Sequence, residues 1–405
     1  MKQLSIIALL IVGAGSSLAS AQTPRIYVAQ LDESSFTLAW GTADGITSNT
    51  IGRGAGGLGP ATLKVNGLTY STDQSWYRFT VLSPDTTYQY ELIINRKTIG
   101  TGTIRTWPKK AKSLNFFVIG DWGNGSPTQY AIAASMEQER QRLAQTQSPV
   151  RFVISTGDNI YKGGKKDSDW ERKFFAPYEQ TLKSIPFYAV LGNHDGNESE
   201  SSADLPAYLD NFFSPTGPMT RWYKFQFGGF AEFFALDSTT NQHPAAKSPA
   251  YLESGEQSQW LKQQLTAKQL DWRIAFMHHP IFTAGPNHPP AMPKLLHWFE
   301  GFRDHGVSAV FAGHEHNLQI SERNSATADM QFVVSGAGGE LRSLSVRKKM
   351  VSRNIAGWAP QAHFLLVQIE GDSMTILPVS NKPLILQNPA GQAIPLPIRV
   401  PRRVN

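Results

Sequence analysis

The chain has 405 residues, which is more than one compact domain usually holds, so two domains are the starting expectation. Hydrophobic residues make up 40% of the sequence and cysteine is absent, which excludes a disordered polar chain, disulfides, thiolate metal sites and a cysteine nucleophile. The formal net charge of +6 comes from basic residues that are spread along the chain, which indicates charged side chains on a solvated surface. Because these residues form no concentrated basic and aromatic motif, no nucleic-acid partner is expected.

The first residues have the layout of a secretory signal peptide. Lys2 gives a positive start, residues 4–12 are apolar, and a run of small residues ends at Ala21, which predicts cleavage after that residue. The apolar stretch is too short to span a bilayer comfortably, and no later segment is long enough. We therefore expect residues 1–21 to be removed and the mature protein, without a membrane span, to be secreted or periplasmic. An exported chain without disulfides fits a bacterial origin.

Residues 22–107 predict an all-β N-terminal domain. Runs rich in aromatic and β-branched residues are separated by turn clusters and predict strands at residues 25–29, 36–40, 76–81 and 88–94. Tyr88 follows one of these turns and resembles the tyrosine corner of immunoglobulin-like sandwiches, and the strand spacing suits the fibronectin type III variety. This segment contains no histidine, so metal chemistry is expected elsewhere.

After a linker at residues 106–112, apolar strands alternate with amphipathic helices, which predicts an α/β domain over residues 108–380. This domain is expected to contain strands at residues 114–119, 150–155, 187–191, 232–236, 273–277, 307–311 and 332–335, helices at residues 130–143 and 257–270, and a closing hairpin of residues 363–370 and 373–379. The proline-rich residues 381–405 predict a loosely packed C-terminal tail.

Five short motifs with oxygen or nitrogen donors follow predicted strands of the α/β domain. They occupy residues 120–123, 157–161, 192–195, 277–280 and 313–316. Loops at the carboxyl ends of such strands converge on one crevice, so we expect the five motifs to lie close together. One motif alone would be weak evidence, but the five together hold enough ligands for two cations.

In these motifs the chain resembles the calcineurin-like metallophosphoesterase superfamily. The DNIY stretch at residues 158–161 resembles the purple acid phosphatases, in which the tyrosine is the distinguishing ligand. The FAGHEHNL stretch at residues 311–318 is similar to the small tartrate-resistant acid phosphatases. The resemblance implies a metallophosphoesterase β-sandwich flanked by helices, and the preceding fibronectin type III-like domain resembles the arrangement of larger plant enzymes.

The resemblance also implies a binuclear metal centre with Asp158 bridging two ions. Three further ligands complete each site: Asp121, Tyr161 and His316 in site one, and Asn193, His278 and His314 in site two. A tyrosinate with carboxylates favours iron(III) in site one, whereas two imidazoles and an amide suit iron(II), zinc or manganese in site two. In isolation, Asp121 or Asp158 could instead cap a helix, and Tyr161 could simply bury its ring. Of the ten histidines, five fall inside the motifs, which favours metal binding.

By the same resemblance, the reaction is the hydrolysis of a small phosphate monoester by a metal-bound hydroxide. His194 is expected to give a proton to the leaving group or to hold the phosphoryl oxygens. Asp195 could orient His194 or cap a turn. His288 follows His278 at an interval close to that of a substrate-pocket histidine in the family, although a surface-loop position is the alternative.

Two other functions remain open on the sequence. A phosphodiesterase could use the same metal centre with a pocket that admits a second substituent. A non-catalytic binding protein could use the N-terminal domain for adhesion, although the full ligand set argues against this class. The sequence does not indicate the oligomeric state or the natural substrate.

Overall fold

The computed structural model describes residues 24–41, 60–162, 167–195, 208, 211–212, 221–239 and 251–403, with the backbone alone at residues 167 and 168. The predicted signal peptide lies outside the described residues. No helix among the described residues combines the length and the apolar character that a membrane crossing needs.

The N-terminal part consists of antiparallel strands in its described residues. These strands are β1 Arg25–Leu31, β2 Phe36–Gly41, β3 Ala61–Val65, β4 Leu68–Thr72, β5 Trp76–Phe79, β6 Thr87–Ile94 and β7 Lys97–Arg105. They form two sheets, with strand orders β1-β2-β5 and β4-β3-β6-β7. The Tyr88 hydroxyl accepts a hydrogen bond of 2.8 Å from the backbone N–H of Ser83, the backbone contact that defines a tyrosine corner. The four strands predicted here are therefore present, whereas β3, β4 and β7 were not anticipated.

The larger part of the chain is built on two mixed sheets. Its described strands are β8 Ser113–Ile119, β9 Val150–Ser155, β10 Phe187–Ala189, β11 Tyr223–Phe227, β12 Ala231–Ala235, β13 Trp272–Phe276, β14 Ala309–Ala312, β15 Leu318–Ser321, β16 Gln331–Ser335, β17 Ile355–Ala359, β18 Phe364–Glu370, β19 Ser373–Val379 and β20 Ile398–Pro401. One sheet has the order β10-β9-β8-β18-β19-β20 and the other β11-β12-β13-β14-β16-β15-β17. The predicted hairpin is the β18–β19 pair.

Helices lie outside the two sheets. They are α1 Pro127–Ala144, α2 Asp167–Trp170, a π-helix Glu171–Phe175, α3 Ala176–Leu182, α4 Glu256–Thr266, α5 Met292–Asp304 and α6 Arg347–Met350, with 3₁₀ turns at Ser325–Thr327 and Val351–Arg353. Helix α4 ends four residues before the predicted boundary because Ala267 takes an extended conformation on the way into β13. Both predicted helices are thus present, and α1 starts three residues before and ends one residue after its predicted bounds.

Side-chain alternation along the strands explains the layering. Phe116 on β8 and Phe152 on β9 face Phe233 of the other sheet, with ring centroids 5.3 and 5.2 Å apart. The next residue along β8, Phe117, points the other way and joins the cluster under α1 and α3. Likewise Phe234 packs under α4 and α5. The result is a pair of facing sheets with helices on both outer surfaces, because strands buried on both faces need apolar cover on each side.

The C-terminal tail differs from the expectation of loose packing. Residues 398–401 form β20, which pairs with β19 and extends the six-stranded sheet. Val400 is fully buried there. A short strand with one inward apolar residue is a weak sequence signal, so the proline content of the segment concealed it.

Trp107 joins the N-terminal part to the larger part: its backbone N–H donates to the carbonyl oxygen of Asp32 at 3.0 Å, while its ring packs against the larger part. It lies in the predicted linker, yet only 2% of it is exposed. Its indole contacts the rings of Phe152, Tyr188, Phe225 and Phe227 at centroid distances of 5.3–6.1 Å. The predicted linker therefore contributes a buried anchor between two bodies of structure rather than a flexible spacer.

A second contact joins β1 to the helices beside the motif loops. The Arg25 guanidinium pairs with Glu171 on the π-helix and Glu179 on α3. Next to this ion pair, the Tyr27 and Phe175 rings lie 5.5 Å apart. The N-terminal part thus supports the π-helix directly.

Replacing Trp107 with alanine should destabilise the fold, because it removes a fully buried ring and leaves a cavity. We expect a loss of about 3–5 kcal/mol in the free energy of unfolding. Denaturant unfolding monitored by circular dichroism measures it. Leu68→Ala, at a residue that is 63% exposed, is the control and should change the unfolding free energy little. An unchanged midpoint for the Trp107 variant would contradict its role as the anchor.

Candidate metal centre

The five motif loops meet at one edge of the paired sheets. Strands β8, β9 and β10 are parallel neighbours, as are β13 and β14 in the facing sheet. Each motif begins where one of these strands ends, at residues 120, 157, 192, 277 and 313. Carboxyl ends of parallel strands lie on the same side of a sheet, so the loops converge there.

Three predicted ligands sit in a strained backbone conformation. Asp121, Asp158 and His314 have φ values of 55°, 52° and 72°, in the left-handed region that side chains other than glycine rarely adopt. Such outliers cluster at functional sites, where surrounding contacts hold them in place. Here the His314 backbone N–H donates to Asp121 Oδ2 at 2.9 Å.

One group of predicted ligands gathers around Tyr161. Its Oη lies 3.1 Å from Asp121 Oδ1, 2.9 Å from Asp158 Oδ2 and 3.2 Å from His316 Nε2. All four side chains are buried. Donor atoms of Asp121, Asp158 and His316 lie within 4.8 Å of one another, close enough to bind a single cation. These are the residues predicted for site one, together with the predicted bridge.

The other group gathers around His278. Its Nε2 lies 3.0 Å from Asn193 Oδ1, 3.2 Å from His314 Nδ1 and 3.5 Å from Asp158 Oδ2. Its Nδ1 lies 2.8 Å from the backbone oxygen of Thr156 and donates to it, which fixes the ring with Nε2 turned toward the other donors. The predicted site-two residues are therefore together, and Asp158 Oδ2 faces both groups.

The charges around the two groups of donors suit the binding of cations. Burial would raise the pKa of Asp158, but the positive charges of His278 and His194 outweigh it and lower that pKa. Burial and the neighbouring His278 lower the pKa of His314. An ionised carboxylate and a neutral imidazole are the forms in which these side chains bind metal. Burial and the charges of Asp121 and Asp158 raise the pKa of Tyr161, so a phenolate there needs a strongly charged cation beside it.

The predicted catalytic histidines flank the same centre. The His194 ring lies 4.5 Å from the Tyr161 ring, and its backbone N–H donates to Asp158 Oδ1 at 2.9 Å. His288 stacks on His314 with ring centroids 3.9 Å apart, and its Nδ1 lies 3.1 Å from Glu315 Oε1. His288 thus lies at the centre rather than on a distant surface loop.

Asp195 is buried and joins two motif loops. Its carboxylate accepts hydrogen bonds of 2.8–3.0 Å from the backbone N–H groups of Gly192, Asn159 and Ile160, and from the Asn159 side chain. Burial, reinforced by the charge of Asp158, raises the pKa of Asp195 to about 7. These contacts include the turn-capping bonds that were one of its two predicted roles; orientation of His194 stays a prediction.

Two supporting residues had no part in the sequence prediction. Glu315 is buried and accepts from the backbone N–H groups of Asn287 and His288, fixing the loop that carries His288. Lys173 on the π-helix is also buried; its ammonium donates to the carbonyl oxygen of Tyr161 and pairs with Asp169 at 2.8 Å. Glu315 stands inside a recognised motif and could have been suspected. Lys173 carries no local signal, because only the folded π-helix brings it to Tyr161.

Comparison with known proteins decides the family. Residues 114–318, half of the chain, match the calcineurin-like phosphoesterase family. This chain belongs to that family. Together with the buried Asp121–Asp158–His316 cluster, membership identifies a dimetal phosphoesterase, as the motifs predicted.

Relatives within the phosphoesterase family are acid phosphatases. Mouse tartrate-resistant acid phosphatase type 5 is 30% identical over 251 residues, covering 56% of this chain and 72% of that protein. Purple acid phosphatase 17 of Arabidopsis thaliana is 26% identical over 286 residues, covering 62% and 79% respectively.

Solved structures show the same fold across nearly the whole chain. The yellow lupin purple acid phosphatase PPD1 superposes with a TM-score of 0.64 at 15% identity, covering 92% of this chain and 73% of that one. PhoD also gives 0.64, at 13% identity, covering 91% and 90%. At these identities the likeness concerns the fold alone, and it includes the N-terminal part.

Replacing Lys173 with methionine should weaken metal binding, because the carbonyl of Tyr161 and the Asp169 carboxylate lose their shared cation. Partners that orient ligands typically contribute about 10- to 100-fold in metal affinity. Equilibrium dialysis against the divalent and trivalent ions measures it. Lys162→Met, an exposed lysine beside Tyr161, is the control and should bind metal as the wild type does. Equal affinities for the two variants would refute the supporting role of Lys173.

Proposed function

We propose that this protein is an exported acid phosphatase that hydrolyses phosphate monoesters with two bound cations. Asp121, Tyr161 and His316 would hold one cation and Asn193, His278 and His314 the other. The observation that carries this assignment is the position of Asp158, whose Oδ2 lies 2.9 Å from Tyr161 Oη and 3.5 Å from His278 Nε2. A single carboxylate between two complete donor sets is suited to a shared ligand.

The donor chemistry supports a choice of ions. Because burial and two carboxylates raise the pKa of Tyr161, a trivalent iron ion is the cation best able to stabilise its phenolate. The second set, with two imidazoles and an amide oxygen, suits iron(II), zinc or manganese. When bound, two such cations supply a water of lowered pKa and neutralise the charge on the phosphoryl group.

The two flanking histidines would handle the substrate. His194 adjoins Tyr161 and is half-buried, so it can place a proton on the departing alcohol oxygen. His288 directs Nδ1 to the Glu315 carboxylate, which leaves Nε2 for a hydrogen bond to a phosphoryl oxygen. Asp195 ties the loop of Asp158 to the loop of His194 through backbone hydrogen bonds, so it would fix the distance between them.

We also propose export through the signal peptide at residues 1–21 and a fibronectin type III-like identity for residues 22–107. The tyrosine-corner hydrogen bond of Tyr88 and the two antiparallel sheets support the second proposal. Residues 108–380 would form the catalytic domain. Its contacts with β1 through Arg25 suggest that the N-terminal domain braces the metal-binding loops.

The substrate class is tested by comparing initial rates on an aryl phosphate monoester and the matching diester at mildly acidic pH. We expect a strong preference for the monoester, and loss of activity on treatment with a chelator. A preference for the diester would keep the metal centre but replace the substrate class. Inactivity on both substrates with two metals bound per chain would favour a binding function.

Replacing His194 with alanine should lower kcat by about 10²- to 10⁴-fold while two metals remain bound, because the residue would move a proton without serving as a ligand. Steady-state kinetics and elemental analysis of the same preparation separate these effects. His305→Ala, at the end of α5, is the control and should leave both measurements unchanged. Metal loss in the His194 variant would assign this residue to coordination instead.

A further inference from the structure

A cavity of about 360 Å³ adjoins the proposed metal centre. Its lining includes His314, a predicted ligand, together with His279 and His288. The His279 and His288 rings lie 4.4 and 3.9 Å from the His314 ring, so this wall of the cavity is continuous with the metal-binding loops. An ester with its phosphoryl group at the centre would therefore have this cavity beside it for its alcohol part.

Away from the histidines, the cavity is mainly apolar. The lining there includes Tyr251, Pro289, Pro290, Ala291, Pro293 and Leu295. Proline has no backbone N–H, so this wall offers few hydrogen-bond donors. Lys294 is the one lysine or arginine among the described residues of the lining. A sugar or polyol would leave hydroxyl groups unpaired against such a wall, whereas an aromatic ring would bury apolar surface there.

The wall is held in place by contacts outside the cavity. Buried Glu315 accepts from the backbone N–H groups of Asn287 and His288, and the Ala291 N–H donates to the Pro280 oxygen at 2.8 Å. Small-molecule pockets usually measure about 300–1,000 Å³ and are largely formed before binding. A cavity of about 150 Å³ can hold benzene, so the space here accommodates one aromatic ring with a short substituent.

We propose that this cavity binds the leaving group and selects phosphate monoesters of aromatic alcohols. The inference rests on the proposed phosphatase function and adds its substrate class. In the reaction, an oxygen from water forms a new bond to phosphorus while the bond from phosphorus to the alcohol oxygen breaks. The aromatic alcohol departs with a proton, and inorganic phosphate is the other product.

The substrate test compares benzyl phosphate with glycerol phosphate on the metal-loaded full-length protein. Both release an unactivated alkyl alcohol, so a difference in rate does not reflect an easier leaving group. We expect kcat/KM for benzyl phosphate to be about 10- to 100-fold higher, the range that apolar pockets usually achieve. Benzylphosphonate should likewise inhibit about tenfold more tightly than methylphosphonate, which tests the same cavity without any variant.

A matched pair of variants locates the effect in the cavity. Ala291→Phe fills part of the space and should lower kcat/KM for benzyl phosphate about tenfold more than for glycerol phosphate. Leu296→Phe introduces the same side chain five residues further along, on α5, at a residue that is 48% exposed, and should alter neither rate. Thermal unfolding of both variants shows whether they are folded. If the Ala291 variant does not fold, the inhibition of the unaltered protein by the two phosphonates tests the cavity instead.

The outcomes separate this inference from the proposed function. Hydrolysis of both esters at similar kcat/KM, with equal inhibition by the two phosphonates, would overturn the aromatic pocket and leave the phosphatase assignment intact. A preference for glycerol phosphate would do the same. No hydrolysis of either ester with two metals bound would overturn both.

Discussion

The burial of two carboxylates side by side is the constraint on which the rest of the site depends. Asp121 and Asp158 lie away from solvent within one ring of donors, and such a pair is very unfavourable unless positive charge lies beside it. The chain supplies part of that charge, since the proximity of Asp158 outweighs burial and raises the pKa of His278 to about 9. Cations bound among the same donors would compete with that proton and complete the compensation.

The framework around this pair is correspondingly rigid. Strained backbone at Asp121, Asp158 and His314 follows the ends of buried parallel strands, and Asp195 ties the loop of Asp158 to the loop of His194. Behind them, Lys173 connects the π-helix to Tyr161. The strands, the loops and the contacts of the N-terminal part with the π-helix therefore all help to keep donors of like charge at fixed positions.

The sequence predicted the elements whose signals are local. Strand β9 was placed to the residue because four of its six residues are apolar and a Gly-Asp motif follows it. The donors converge as expected because strand ends in parallel sheets must converge. By contrast, β20 has a single buried residue and Trp107 stands in a segment with linker composition, so neither had a local signal. Lys173 and the apolar cavity depend on contacts between distant segments, which periodicity does not encode.

The most direct test of the shared-carboxylate account is anomalous X-ray scattering from crystals of the metal-loaded protein. Absorption-edge data give the number, identity and position of the bound ions. The account predicts two cations, one beside Tyr161 and one beside His278, with the Asp158 carboxylate contacting both. A single cation, or two cations of which Asp158 contacts only one, would contradict it.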